Sequence, residues 1–281
     1  ASPRERIRAR FREQYEQILA HDPGSRLGRE PEAVHKFRVA VRRLRALLRS
    51  LGSTVDRVWA DQLRAELGWL GRALGEVRDR DVLVLRLGAQ VDDLEAADRA
   101  AGEKLLNRLE EERAEARAAL ESVLGSGRYL TLLARLEEAA ESPRWVGQEE
   151  KPLEQLAAKE FRRLQKAAAA LDDDPTDEQL HETRIRAKRA RYAAEVAEPV
   201  VGKAARRVVE RAKEFQDASG EHQDAVVAEE TLRRLAEAAE AQVAFAAGRL
   251  AELQHETRLR ARREIPRAWK HLDKAGRKAW R

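Results

Sequence analysis

Two stretches of the chain pair an imidazole with a row of cations. His35-Lys36-Phe37-Arg38-Val39-Ala40-Val41-Arg42-Arg43-Leu44-Arg45 and His181-Glu182-Thr183-Arg184-Ile185-Arg186-Ala187-Lys188-Arg189-Ala190-Arg191 both place basic residues at +3, +7, +8 and +10 from a histidine. On an α-helix each residue turns about 100°, so the +3, +7 and +10 positions fall within about 80° of the histidine and form one stripe. Neighbours along such a row stand about 5–6 Å apart. Because a guanidinium fork takes phosphate oxygens in pairs, the rows suit several linked phosphates at once. Residues 35–49 hold six basic residues and no acid, whereas a merely solvated helix face alternates its signs at i,i+4.

Arg38, Arg42, Arg45 and Arg49 of the first stretch, with Arg184, Lys188 and Arg191 of the second, are therefore the expected ligand-binding residues. Salt bridges to acids on other helices are the alternative for each. Arg43 and Arg189, at +8, point off the stripe. His35 and His181 have three roles open to them: ligand, proton switch, or a ring that bridges two helices. Surrounding cations favour the neutral imidazole and a bound polyanion favours the charged one, which predicts tighter binding at mildly acidic pH.

Arg8 and Arg12, and likewise Arg162, Arg163 and Lys166, lie on the helices that precede the two stretches. Elements adjacent in sequence tend to pack together, so these five are candidates to complete the basic surface. Arg258, Arg260, Arg262 and Arg263 form a third basic stretch without the full repeat, either a supporting wall or exposed. An HExxH zinc site is rejected, because His181-Glu182 and His255-Glu256 are followed at the required place by Ile185 and Leu259. No metal or cofactor is expected.

These residues need helices to position them. Ser2, Pro3 and Glu5 form a capping box that starts a first helix, expected to run to about Ala20. Residues 21–30 read as a Gly/Pro-rich loop, and Pro31 opens the first histidine helix, which ends near Gly52 with Ser53 capping the next. Phe37, Val41, Leu44 and Leu48 gather opposite its cationic stripe as a core-facing side. Helices follow at about 54–74, 77–88, 92–124 and 127–141, with Trp59, Leu63, Trp69 and Leu70 read as core. Residues 142–151 are the expected linker. A helix over about 152–171 precedes the box Thr176-x-x-Gln179, which launches the second histidine helix, expected to stop before Pro199. Further helices fit 200–217, 221–239 and 241–264, with Pro266 breaking or kinking the last and Trp280 tying the tail to the bundle.

The pattern resembles the CHAD domain, the conserved-histidine α-helical domain. Leu74-Gly75-Glu76-Val77-Arg78-Asp79 is similar to that family's LGxxRD element, and Ser219-Gly220-Glu221-His222-Gln223-Asp224 to its second-half counterpart. His35 lies 40 residues before Gly75, and His181 lies 39 before Gly220. The resemblance covers nearly the whole chain. It implies an all-α, single CHAD-like domain of two pseudo-symmetric antiparallel helical bundles, residues 1–141 and 152–281, with a basic groove or cavity between them that binds inorganic polyphosphate. It also extends to association with polyphosphate granules. Asp79 and Asp224 are candidates to orient arginines or histidines, or to cap or pair ordinarily.

Composition agrees with helices. Of 281 residues, 43% are hydrophobic, 37% charged and only 5% aromatic, a balance that argues against sheets. The net charge of +5 conceals segregation: the basic stretches are set in a mildly acidic body, as suits a site that focuses one polyanion. The absence of cysteine removes disulfides and thiolate chemistry together. There is no apolar run long enough for a membrane span and no signal-peptide core, so a cytoplasmic protein is expected. The sequence has no methionine, not even an initiator, which leaves room for a further domain upstream.

Two other functions compete with a non-enzymatic polyphosphate-binding module. Nucleic-acid binding also uses basic helices, but it adds aromatic platforms or base-reading amides, and Tyr192 is nearly alone in the stripes. Phosphoryl transfer needs a P-loop or metal-holding carboxylates, and the histidine helices contain neither.

Overall fold

The computed structural model describes residues 2–28, 31–147 and 152–280, apart from the side chain of Ser53. The helices among them are α1 (Pro3–Leu27), α2 (Pro31–Leu51), α3 (Arg57–Asp92), α4 (Ala96–Leu124), α5 (Gly127–Glu141), α6 (Leu153–Ala169), α7 (Asp177–Val201), α8 (Lys203–Glu237) and α9 (Ala241–Ala279). A 3₁₀ turn at Gly52–Thr54 and one isolated bridge, Val55 to Trp145, complete the described secondary structure. The fold is all-α, as expected. Much of the expected linker, residues 148–151, lies outside the described residues, as do residues 29–30 of the expected first loop.

The order of packing repeats. Helix α1 packs on α2, α2 on α3 and α3 on α4; then α6 packs on α7, α7 on α8 and α8 on α9. One core gathers Phe11, Phe37, Leu44, Leu63, Leu70 and Tyr129 with Leu153 and Ala197 from the second half, and another gathers Phe161, Ala187, Phe215, Ile265 and Leu272. A third is shared: the far ends of α3 and α4, through Leu87 and Leu105, pack on those of α8 and α9, through Leu232 and Leu250. The halves also meet where α2 contacts α7. Trp280 rests against the first and second of these cores, and Trp69 is only partly buried, with Arg128 stacked on its ring at 4.3 Å.

The helices are longer than the sequence signals suggest. The α1 helix runs through Pro23 to Leu27 and ends at Gly28, whose φ of 65° is the left-handed conformation of a C-cap. Its last turn is held by Ser25 donating to the His21 carbonyl and Arg26 to that of Leu124. Helix α7 passes Pro199 instead of stopping before it. Proline cannot donate to the carbonyl four residues back, and that carbonyl, of Glu195, accepts from Arg10 at 3.4 Å instead. Helix α9 likewise continues through Pro266. The predicted breaks near residues 75 and 218 are absent: α3 and α8 are continuous. Helix α3 begins at an Asp56 cap, whose carboxylate accepts from the Trp59 N–H at 2.7 Å.

Candidate functional site

The apolar faces of α2 and α7 anchor both histidine helices in the cores, and this leaves their cationic stripes facing inward. Phe37, Val41 and Leu44 of α2 are fully buried. Helices α3 and α8 supply the walls, and each brings a glycine against the first arginine of a stripe. The Arg38 guanidinium lies over Gly75, and that of Arg184 over Gly220, its Nη2 only 3.0 Å from where a side-chain carbon would stand. Gly68 receives Arg45 in the same way. The repeated interval between histidine and glycine thus has a packing counterpart: both glycines lie under the arginine at +3, where a methyl group would crowd Arg184 at Gly220 and meet Arg38 at an ordinary 3.6 Å at Gly75.

The result is a cavity of about 360 Å³ lined by both halves, with His35, Arg38, Arg42, Arg78 and Arg86 on one side and His181, Arg184, Lys188, Gln223 and Asp224 on the other. A second compartment of about 130 Å³ adjoins it, lined by Arg45, Arg49, Arg64, Arg189 and Tyr192. Arg42 and Lys188 belong to both compartments and form the waist between them.

The two halves place corresponding residues in the larger compartment but partner them differently. Asp79 accepts from Arg38 Nη1 at 2.6 Å, and the Gly75 carbonyl accepts from the same nitrogen at 3.4 Å. His181 Nδ1 stands 2.8 Å from Gln223 Oε1. The counterpart of Gln223 in the first half is Arg78, a cation that faces His35. Burial, then Arg78, holds the His35 imidazole below its ordinary range, with Arg38 and Arg42 adding to the effect. Asp224 makes no ion pair within 4.0 Å among the described residues, and burial pushes its carboxyl up against the pull of Arg184 and Arg86.

The cations are crowded and largely unrelieved. Among the described residues, no carboxylate lies within ion-pair distance of Arg42, Arg45, Arg49, Arg184, Lys188 or Arg189. Burial, followed by Arg42, Arg184 and Arg38, drives the Lys188 ammonium down to about 6. The same direction holds for the guanidinium groups of Arg42, Arg45, Arg49, Arg184 and Arg189, with burial first in each case and neighbouring cations adding to it. Arginine stays charged through such a shift, so the repulsion persists in the free site. Several charge-assisted hydrogen bonds to one polyanion are what this arrangement can offer.

Of the residues proposed from sequence, His35, Arg38, Arg42, Arg45, Arg49, His181, Arg184 and Lys188 are brought together. Arg191 is not: it lies 3.6 Å from Glu195, and its guanidinium stands 5.0 Å from the centre of the Tyr192 ring. Arg43 shares both partners, at 3.3 Å and 5.9 Å. Arg163 pairs with Glu160 beside Arg49. Arg162 lines a separate cavity of about 670 Å³ near Trp280. Arg8, Arg12 and Lys166 are exposed and line neither compartment. The third basic stretch is structural: Arg258 and Arg262 pair with Asp177 at 3.0 and 3.3 Å, and Arg258 also with Glu229 at 3.5 Å.

Four lining cations were not proposed from sequence or were placed off the stripe: Arg64, Arg78, Arg86 and Arg189. On α3 a signal was present. Arg64, Gly68, Gly75, Arg78 and Arg86 recur at intervals compatible with one helix face, and Arg78 stands inside the quoted LGxxRD-like element. Arg86 also crosses to the other half, donating to Gln254 at 2.6 Å and to Glu221 at 3.0 Å. Among the described residues there is no group of three or more His, Asp or Glu that could hold a metal, and no helix long and apolar enough to cross a membrane.

Comparison with known proteins adds the family context. The CHAD domain model matches residues 9–233. Two uncharacterized proteins of Mycobacterium tuberculosis, MT2285 of strain CDC 1551 / Oshkosh and Rv2226 of strain H37Rv, are each 32% identical over 99% of the chain. The chain spans about half the length of those relatives, 55% in each case. Among solved structures, PptA from Streptomyces chartreusis superposes with a TM-score of 0.81 at 25% identity, covering 95% of this chain and 98% of that one. The CHAD domain from the plant Ricinus communis gives 0.72 at 27% identity, covering 100% and 93%.

Proposed function

The chain belongs to the CHAD domain family, and on that premise we propose that it is a non-catalytic module that binds inorganic polyphosphate in the cavity between its two histidine helices. The observation that carries this reading is the waist. Arg42 and Lys188, one from each half, stand together without a carboxylate in reach, and cations continue into a compartment on either side. A long phosphate chain relieves the repulsion among the arginines along its whole length and lets Lys188 regain its charge, whereas a single phosphate acts at one place.

We read binding rather than turnover because the cavity's two carboxylates, Asp79 and Asp224, are few against its many cations. Asp79 is held by Arg38, and burial favours the neutral form of Asp224, which has Arg184 and Arg86 near it. Association with polyphosphate stores follows from the same affinity.

Calorimetric titration tests the reading. At equal phosphate concentration, long-chain polyphosphate is expected to bind far more tightly than orthophosphate, because linked sites gain by multivalency. Affinity should fall steeply with salt as condensed counterions are released. Equal affinity for long and short phosphates refutes the proposal. Preference for single- or double-stranded DNA over polyphosphate at fixed salt favours the nucleic-acid reading instead, and phosphate release on adding magnesium would make the protein an enzyme.

A further inference from the structure

We infer that the Tyr192 hydroxyl is a phosphate-binding group of the cavity, held in place by Arg43, Arg191 and Glu195 acting as positioning residues; the inference rests on the polyphosphate reading. Tyr192 is 7% exposed, and its ring lies near two guanidinium groups, with that of Arg191 at 5.0 Å and that of Arg43 at 5.9 Å from the ring centre. Both arginines are anchored on one carboxylate: Glu195 lies 3.3 Å from Arg43 and 3.6 Å from Arg191. Ring and cations attract within about 6 Å, so three side chains converge to fix one aromatic body.

The hydroxyl itself has no hydrogen-bond partner among the described residues, yet its oxygen is not sealed from solvent. It therefore reaches open space. Tyr192 borders the basic compartment together with Arg42, Lys188 and Arg189. The same compartment is lined by both waist residues, Arg42 and Lys188, so Tyr192 shares a wall with them. Tyr192 also lines another cavity, of about 180 Å³, with Arg10 and Arg43. Tyr192 thus borders both that cavity and the phosphate site.

A neutral hydroxyl has a distinct role among cations. Guanidinium and ammonium groups attract any polyanion, but a fixed O–H donor rewards only an oxygen placed at one point. The two cations near the ring draw electron density from it and strengthen the donor. This also accounts for Arg191, which the sequence assigned to the ligand: it acts through Tyr192.

The test is a double-mutant cycle with long-chain polyphosphate at fixed pH and salt, using wild type, Tyr192→Phe, Arg191→Gln and the double variant. Tyr192→Phe keeps the ring, so an unchanged thermal midpoint is expected. Its affinity should fall about tenfold or more, the loss expected for a hydrogen bond to a charged acceptor. Arg191→Gln should also weaken binding in the wild-type background, but by less than twofold when Phe already stands at 192. Wild-type affinity in Tyr192→Phe overturns the inference, as does an Arg191→Gln loss that persists undiminished in the double variant, since that loss would be bulk charge. If wild type itself fails to bind polyphosphate, the functional reading fails and this inference falls with it.

Discussion

Binding of a polyanion should draw protons into this cavity, and Lys188 sets the size of the effect. Its neighbours are Arg42 and Arg38 from α2, Arg184 from its own helix and Asp224 from α8, and burial together with these cations holds the ammonium down to about 6 from an ordinary 10.5. At pH 7 the free amine is therefore only about 10% charged. A phosphate chain at the waist reverses the balance of charge. If the bound-state value returns to about 9, binding takes up about 0.9 proton at pH 7, and affinity at pH 6 exceeds that at pH 8 roughly 50-fold. His35, also held low, adds uptake of the same sign below its ordinary range. Isothermal titration in two phosphate-free buffers of different ionisation heat reads the protons directly, and long chains keep the contribution of terminal phosphates small. Lys188→Arg, whose charge is fixed, should lose most of the slope between pH 7 and 9. A heat independent of buffer, or a slope unchanged in that variant, refutes the argument. The free protein should behave in the opposite sense. Because the folded value of Lys188 lies below the unfolded one, the unfolded chain holds the extra proton between about pH 6 and 10.5, so stability rises with pH across that window and is lost as pH falls toward 6.

Three further outcomes follow from the packing. Gly220→Ala places a methyl 3.0 Å from Arg184 Nη2; the guanidinium can swing aside, so denaturation should show equal or slightly greater stability, from about 1 kcal/mol of helix propensity, while polyphosphate affinity falls several-fold. Gly276→Ala instead drives its methyl into the buried Phe161 ring and should lower stability by about 1–3 kcal/mol, read from the same denaturation curves. Arg64→Gln and Arg189→Gln should each reduce the slope of log affinity against log salt by about one, whereas Arg8→Gln, on an exposed face of α1, should leave it unchanged.

The histidine helices, their cationic stripes and the repeated interval to Gly75 and Gly220 were legible because each is a local signal with a fixed period. The residues that were misplaced depend on how helices cross. Arg45 and Arg191 are both at +10, yet Arg45 lines the lower compartment and Arg191 turns to Glu195; Arg43 and Arg189, both at +8, divide in the reverse sense. The angle around one helix cannot tell which of two adjacent cations meets the opposing helix. Proline and glycine misled for a related reason. Their cost to a helix is local, but the compensation is tertiary: Arg10 reaches the carbonyl freed by Pro199, and the bare backbone at Gly75 and Gly220 receives an arginine.

A cavity of like charges stays open only if its walls cannot retreat, and Asp177 is an acid placed to hold the frame from outside the site. Asp177, the first residue of α7, pairs with Arg258 and Arg262 of α9 and stands 3.1 Å from His222 Nε2 of α8, a side chain only 1% exposed. This ties the start of the second histidine helix to the two helices behind it. Replacing Asp177 by Asn leaves three cationic or cation-forming groups short of their shared partner. A stability loss of about 2 kcal/mol is expected, less than for a sealed ion pair because Asp177 is partly open to water. The same frame explains a coupling between stability and function. Burial lowers the His222 imidazole against the pull of Asp177, so His222 favours its neutral form, and neutralising the carboxylate removes the one partner that would let it charge. Asp177→Asn should therefore loosen the α7 start and weaken polyphosphate binding together, although no atom of Asp177 borders the cavity. Full affinity in a destabilised Asp177→Asn variant would show that the waist is held by the cores of α2 and α7 alone.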